Sequence, residues 1–216
     1  MELTNLVNRT NDAKKRLLEL FLVSDEEFAS FRPLNVAINA EKCTSYNSVT
    51  TTFNYNEPRE GEANPEEDLD NPLVSIGEEV SHYIHNQLNS CVWKNIPMDK
   101  LGLHRFIMEF VAHYGMLSLF GNLKKPIPNI PILKQIPITE DPVEFEMLLG
   151  HKIGYEYAHE CFKRQGATKL PMFARMPVLL VEPHLHRLAP ISWIHKTFLP
   201  LYDKITRSPY RDLFNE

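Results

Sequence analysis

Nine histidines, three cysteines and 28 carboxylates are the side chains of this 216-residue chain that could hold a metal or move protons near neutral pH. Their spacing decides what they can do. His184-Leu185-His186 places two imidazoles at i and i+2. In an extended strand both rings point to one side, and with His195 as a third ligand and Glu182 as a fourth they make the ligand set of a histidine-metal hydrolase. In a helix the same rings diverge. His82 and His85 stand three apart in a helical pattern beside Glu78 and Glu79, so one helix face offers two imidazoles and a carboxylate. The same spacing occurs in helices whose histidines simply face water. His151, Glu156 and His159 share a later helical stretch, without the His-Glu-x-x-His spelling of zinc proteases. Cys161 is a nucleophile only with a base beside it; a small buried cysteine is the simpler reading. The phosphate-loop pattern, the dinucleotide fingerprint and the Gly-x-Ser-x-Gly elbow are all missing. No cofactor is therefore expected, and the chain reads as non-catalytic.

The elements that must carry these residues are legible in the periodicity. Leu17, Leu18, Leu20 and Phe21 predict an amphipathic helix from about 11 to 23. Ser24 and Glu27 form a capping box before a second start in which Phe28 and Phe31 bury, and Pro33 ends it. Val49, Thr51, Phe53 and Tyr55 alternate as in a strand over 47–55. Residues 56–71 are rich in acids, Pro, Asn and Gly and cannot offset their ordering entropy by burial, so they read as an acidic linker. A helix over 78–93 carries Val80, Ile84, Leu88 and Val92 in a stripe that Ile76 begins just before it; a second carries Leu103, Phe106, Ile107, Phe110, Val111 and Tyr114, with Gly115 as its left-handed stop. Asp141-Pro142-Val143-Glu144 starts a long helix that Gly166 closes, and Gly150 and Gly154 open one face of it for close approach by another element. Prolines at 171, 177, 183, 190 and 200 divide the rest.

Glu79-Val80-Ser81-His82-Tyr83-Ile84, Pro97-Met98-Asp99-Lys100, Glu109 to Gly115, and Ser118, Gly121 and Lys124-Lys125 beyond them form a recurring set. Over about 73–135 this resembles the R-three-H family of single-stranded nucleic-acid-binding domains, named for an Arg and a His in the spacing Arg-x-x-x-His. The resemblance implies a small sheet backed by two helices. Counting back from Gly115, His104 and Met108 stand at the two signature positions; a connector one residue longer brings Arg105 and Glu109 there instead. Recognition through the signature pair does not carry over. Lys100, His104, Arg105, Lys124 and Lys125 remain as cations that could meet phosphates beside Trp93 and Phe106.

Composition bounds the rest. At 43% apolar the chain can bury one substantial core, with or without a satellite domain. It has no run of about 18 apolar residues that would span a membrane, and its first residues lack the apolar stretch of a signal peptide. Three widely spaced cysteines point to a reducing compartment, the cytoplasm or nucleus. A net charge of -5 excludes a uniformly basic nucleic-acid coat, although acids crowd 57–70 and cations lean toward the C-terminal third. The expected fold is α+β: a helical and strand segment over 1–55, an acidic linker over 56–72, an R-three-H-like core over 73–138 and a proline-punctuated helical segment over 139–216. The expected role is an adaptor or subunit with protein partners in a larger intracellular assembly, a nucleoprotein one among the options. The alternatives are a single-stranded RNA or DNA binder and the histidine-metal hydrolase.

Overall fold

A computed structural model of the chain describes residues 2–38, 44–56, 72–89, 101–127 and 142–175. In order these form α1 (Leu3–Leu20), α2 (Asp25–Ala29), β1 (Asn35–Ile38), β2 (Ser45–Asn47), β3 (Thr52–Tyr55), α3 (Pro72–Asn89), α4 (Leu101–Asn122), α5 (Pro142–Gln165) and α6 (Leu170–Arg175). The fold is α+β, with six helices and one small mixed sheet among the described residues. No helix among them is long and apolar enough to cross a membrane.

Helix α4 is the axis. Every residue from Phe110 to Phe120 is buried, including His113, Ser118 and Gly115, because α1, α3, α5 and α6 all pack on it. A helix apolar on all sides belongs in the middle of a protein, and this one is there. Gly115, expected to stop the helix, lies inside it. A Cβ there would come within 2.8 Å of the Ser81 Cβ and closer still to the Ser81 hydroxyl, so this glycine sets how near α3 comes to α4. Gly77 does the same from the α3 side, against Met116 and Leu119. The two helices run antiparallel, and the stripe Ile76, Val80, Ile84 closes on Ile107, Val111 and Tyr114 in one core.

Helix α1 begins at Leu3, a turn and more before the expected start. Its buried residues are Leu6, Thr10, Ala13 and Leu17, a helical stripe that a polar threonine conceals. Thr10 can be buried because its hydroxyl donates to the Leu6 carbonyl at 2.8 Å. The Ser24–Glu27 capping box forms as expected, but Phe28 stays exposed and only Phe31 is partly covered, its ring edge-on to Tyr83.

The sheet order is β1-β3-β2, with β1 parallel and β2 antiparallel to β3. The single strand expected over 47–55 is two strands and a tight turn. Asn47 bends the chain by accepting from the Val49 and Thr50 amides, and Thr51 takes a positive φ of 52°. The alternation survives for Thr51, Phe53 and Tyr55, which are buried; Val49 stands in solvent on the turn.

Helix α5 starts at Pro142 and stops at Gln165, with Gly166 in the left-handed region at φ +55°, as expected. Arg175, the last residue of α6, then ties the chain back to its start. Its guanidinium donates to the carbonyls of Phe21 at 2.7 Å and Leu22 at 2.8 Å, and to the Glu27 carboxylate at 2.9 Å.

Candidate metal centre

Helix α3 buries an unusual number of polar side chains: Glu79, Ser81, His82, His85, Asn86, Gln87 and Asn89. Polar residues go inside only with partners, so each must be accounted for. Three have structural ones. Ser81 donates to the Gly77 carbonyl at 2.6 Å, Asn89 to the carbonyls of His85 and Ala174, and Gln87 accepts the Arg32 amide at 2.9 Å. Asn86 accepts from the Gln87 side-chain amide at 3.4 Å, which leaves Glu79, His82 and His85, part of a group of carboxylates and imidazoles where α3 meets α4.

Two of them on α3 and two on α4 form a crosswise square. Each helix carries a glutamate and, four residues on, a histidine: Glu78 and His82, Glu109 and His113. Residues at i and i+4 share a helix face, and antiparallel packing sets the carboxylate of one helix opposite the imidazole of the other. His82 Nε2 lies 3.5 Å from Glu109 Oε2, and His113 Nε2 lies 3.8 Å from Glu78 Oε1 and 4.0 Å from Glu109 Oε2. Charge-assisted hydrogen bonds close to about 2.7–2.9 Å. Donor atoms on a sphere of radius about 2.1 Å around a metal sit about 3.0–4.2 Å apart. The ligand atoms of Glu78, Glu109 and His113 all fall within 4.8 Å of one another.

The electrostatics agree. Burial pushes the Glu79 carboxyl up to about 8, with Glu78 and Glu109 adding to the rise. Burial alone would lower His82, yet Glu109 foremost, then Glu79 and Glu78, carry it up to about 9. Among the described residues, the groups acting most on these two are carboxylates, the His82 imidazole and the Tyr46 backbone. Near neutral pH Glu79 therefore holds a proton and His82 a positive charge, both of which a bound divalent cation would displace.

Other elements frame this square. The Tyr46 backbone on β2 hydrogen-bonds the Glu79 carboxylate, fixing the strand to α3. From α5, Gly154 presses on Glu109 and the Phe110 amide, and the Tyr155 ring meets His113 edge-on at 5.3 Å.

Of the residues singled out from the sequence, His82, Glu78 and Glu79 are in this centre. His85 sits one turn further along α3, deep in the core, pushed down to about 3 by burial and by the charges of His82 and His104. His104 is half-buried on the first turn of α4, and the backbone of Arg105 follows it. Lys124 and Lys125 are exposed past the other end of the same helix. Twenty residues of helical rise, about 30 Å, separate His104 from Lys124. Lys100, His184, His186 and His195 lie outside the described residues. Cys161 is buried, and burial pushes its thiol up to about 12, which leaves it inert. Glu109 and His113 were missed as ligands. The available signal was the spacing Glu109-x-x-x-His113, which repeats on the second helix the i, i+4 pairing of Glu78 with His82. Comparison with protein-family models, with curated proteins and with solved structures finds no match to the chain.

Proposed function

We propose that this protein holds a divalent transition-metal ion between α3 and α4 and uses it to hydrolyse an ester or amide bond. The observation that carries the reading is the crosswise square in which Glu78, Glu109 and His113 converge and His82 Nε2 lies 3.5 Å from the same Glu109 oxygen that His113 approaches. Three protein ligands leave a position for water, the arrangement of catalytic rather than structural metal sites. An ion there would lower the pKa of a bound water and polarise a substrate carbonyl. The chain supplies the proton chemistry. Glu79 occupies the place that the general base holds in the His-Glu-x-x-His spacing, one residue after the first ligand. Ionised by the bound cation, it would take the water proton as the water oxygen bonds to the carbonyl carbon, and would return it to the departing oxygen or nitrogen as the old bond breaks. Carboxylates and imidazoles without thiolate favour zinc, iron or manganese over copper(I).

The test is metal analysis of the protein purified without added chelator, followed by turnover of a fluorogenic ester and peptide panel. One ion per chain is expected. Glu109→Gln and His113→Ala should lose it, while Glu79→Gln should keep the ion and lose hydrolysis. A wild-type protein that binds no zinc, iron or manganese, or a Glu79→Gln variant with full turnover, would end the proposal.

A further inference from the structure

We infer that Gly154 and Tyr155 on α5 are positioning residues that hold the two α4 ligands in place, an assignment that rests on the metal site proposed above. Neither residue reaches the ion. Gly154 lies where α5 crosses α4, and the crossing falls on a ligand: a Cβ there would sit 2.7 Å from the Glu109 Cβ, 2.9 Å from the Phe110 amide nitrogen and 3.1 Å from the Glu109 carbonyl carbon. Two of those three atoms are backbone, which cannot rotate away as the end of a flexible side chain can. The bare Cα of Gly154 is therefore the wall behind Glu109. The next residue backs the other ligand. Tyr155 is buried and meets the His113 ring at an interplanar angle of 89°, with centroids 5.3 Å apart, and His159 lies over its other side at 6.0 Å. An edge-to-face contact of this kind limits the rotation of the imidazole about its χ angles. One dipeptide thus fixes the positions of Glu109 and His113, four residues apart on the facing helix.

The claim separates from simple helix packing because α4 and α5 meet closely at a second glycine. At Gly121, twelve residues beyond Glu109, a Cβ would come 2.7 Å from the Phe162 ring. Gly121→Ala therefore disturbs the same helix pair away from the ligands, about 18 Å along the axis from Glu109 and about 12 Å from His113.

The experiment compares zinc affinity, read by competition with a chromogenic chelator, in wild type, Gly154→Ala, Gly121→Ala and Tyr155→Ala, with metal-free melting temperatures alongside. Gly154→Ala and Tyr155→Ala should each weaken zinc binding by about 10- to 100-fold, the range for residues that orient ligands. Gly121→Ala should lower the melting temperature and leave the affinity within about twofold, since it touches no residue that orients a ligand. If Gly154→Ala does not fold, Tyr155→Ala decides, because it leaves the helix crossing intact. Unchanged affinity in that variant, or an equal loss in Gly121→Ala, overturns the inference. Absence of zinc binding by the wild type instead removes the metal site itself.

Discussion

His82 and His85 are one helical turn apart and titrate in opposite directions. His82 is buried against Glu109, which keeps it charged up to about 9; burial foremost, then the charges of His82 and His104, keeps His85 neutral down to about 3. The consequences for stability have opposite signs. A histidine whose folded pKa is depressed favours unfolding in acid: as pH falls below about 6.5 the unfolded chain takes a proton that the folded chain refuses, and stability is lost progressively toward about 3. The raised His82 contributes stability that is fully present below about 6.5 and is lost as pH climbs through about 9. Glu79, held up to about 8, acts in the opposite sense over the same range, because the folded chain binds a proton there that the unfolded chain takes only near 4.5; we therefore expect the two to offset each other in the metal-free protein between pH 6.5 and 5, and His85→Gln to gain melting temperature over that interval. An unchanged melting temperature in His85→Gln over that interval would show that His85 does not carry the loss. His85 thus protects the fold from nothing at neutral pH, and it marks the end of the charged centre toward the start of α4.

At the scale of elements, the approach of α3 to α4 is set by small residues. Replacing Gly115 by alanine forces a methyl group into Ser81, with Phe21 already 3.1 Å away on another side. Overpacking of this kind costs about 1–3 kcal/mol. Gly115→Ala should lower stability by that amount in urea titration, and the exchange Gly115→Ala with Ser81→Gly should restore part of it. A Gly115→Ala protein as stable as wild type would mean that the helices separate freely. This glycine also shows where the sequence was readable and where it was not. Ile76, Val80 and Ile84 on α3, Ile107, Phe110, Val111 and Tyr114 on α4, the Ser24 cap and the Pro142 start with its Gly166 stop are local patterns that form as their spacing predicts, although α3 spans 72–89 rather than 78–93, and Val92 lies outside the described residues. A glycine after an apolar stripe spells a helix stop and a helix crossing identically; what distinguishes them at 115 is Ser81, 34 positions earlier. The candidate centre was hidden for the same reason. Glu78 and Glu109 are 31 positions apart, and neither helix alone carries more than half of the square. The break in the expected strand at Asn47 depends on side-chain hydrogen bonds that alternation does not record.

At the scale of the whole molecule, Arg175 joins segments that share no secondary structure. Its guanidinium satisfies two carbonyls at the turn after α1, where Leu22 adopts a φ of 50°, and holds the Glu27 carboxyl below the usual range through their hydrogen bond. Arg175→Ala should destabilise the protein by about 1–2 kcal/mol, chiefly through the two orphaned carbonyls, since the ion pair itself is about a third exposed and screened. Arg175→Lys, which cannot fork between carbonyls and carboxylate, should recover little of it. Equal melting temperatures for wild type and Arg175→Ala would remove the clamp from the account. The span of this contact has a consequence for synthesis. Phe21 and Arg175 are 154 residues apart, so at about 5–20 residues per second the ribosome needs on the order of 10 to 30 seconds to deliver the partner that the first turn awaits. During that interval the nascent α1 presents Leu6, Leu17 and Phe21 without their final cover, and a chaperone that recognises apolar helices has its window there.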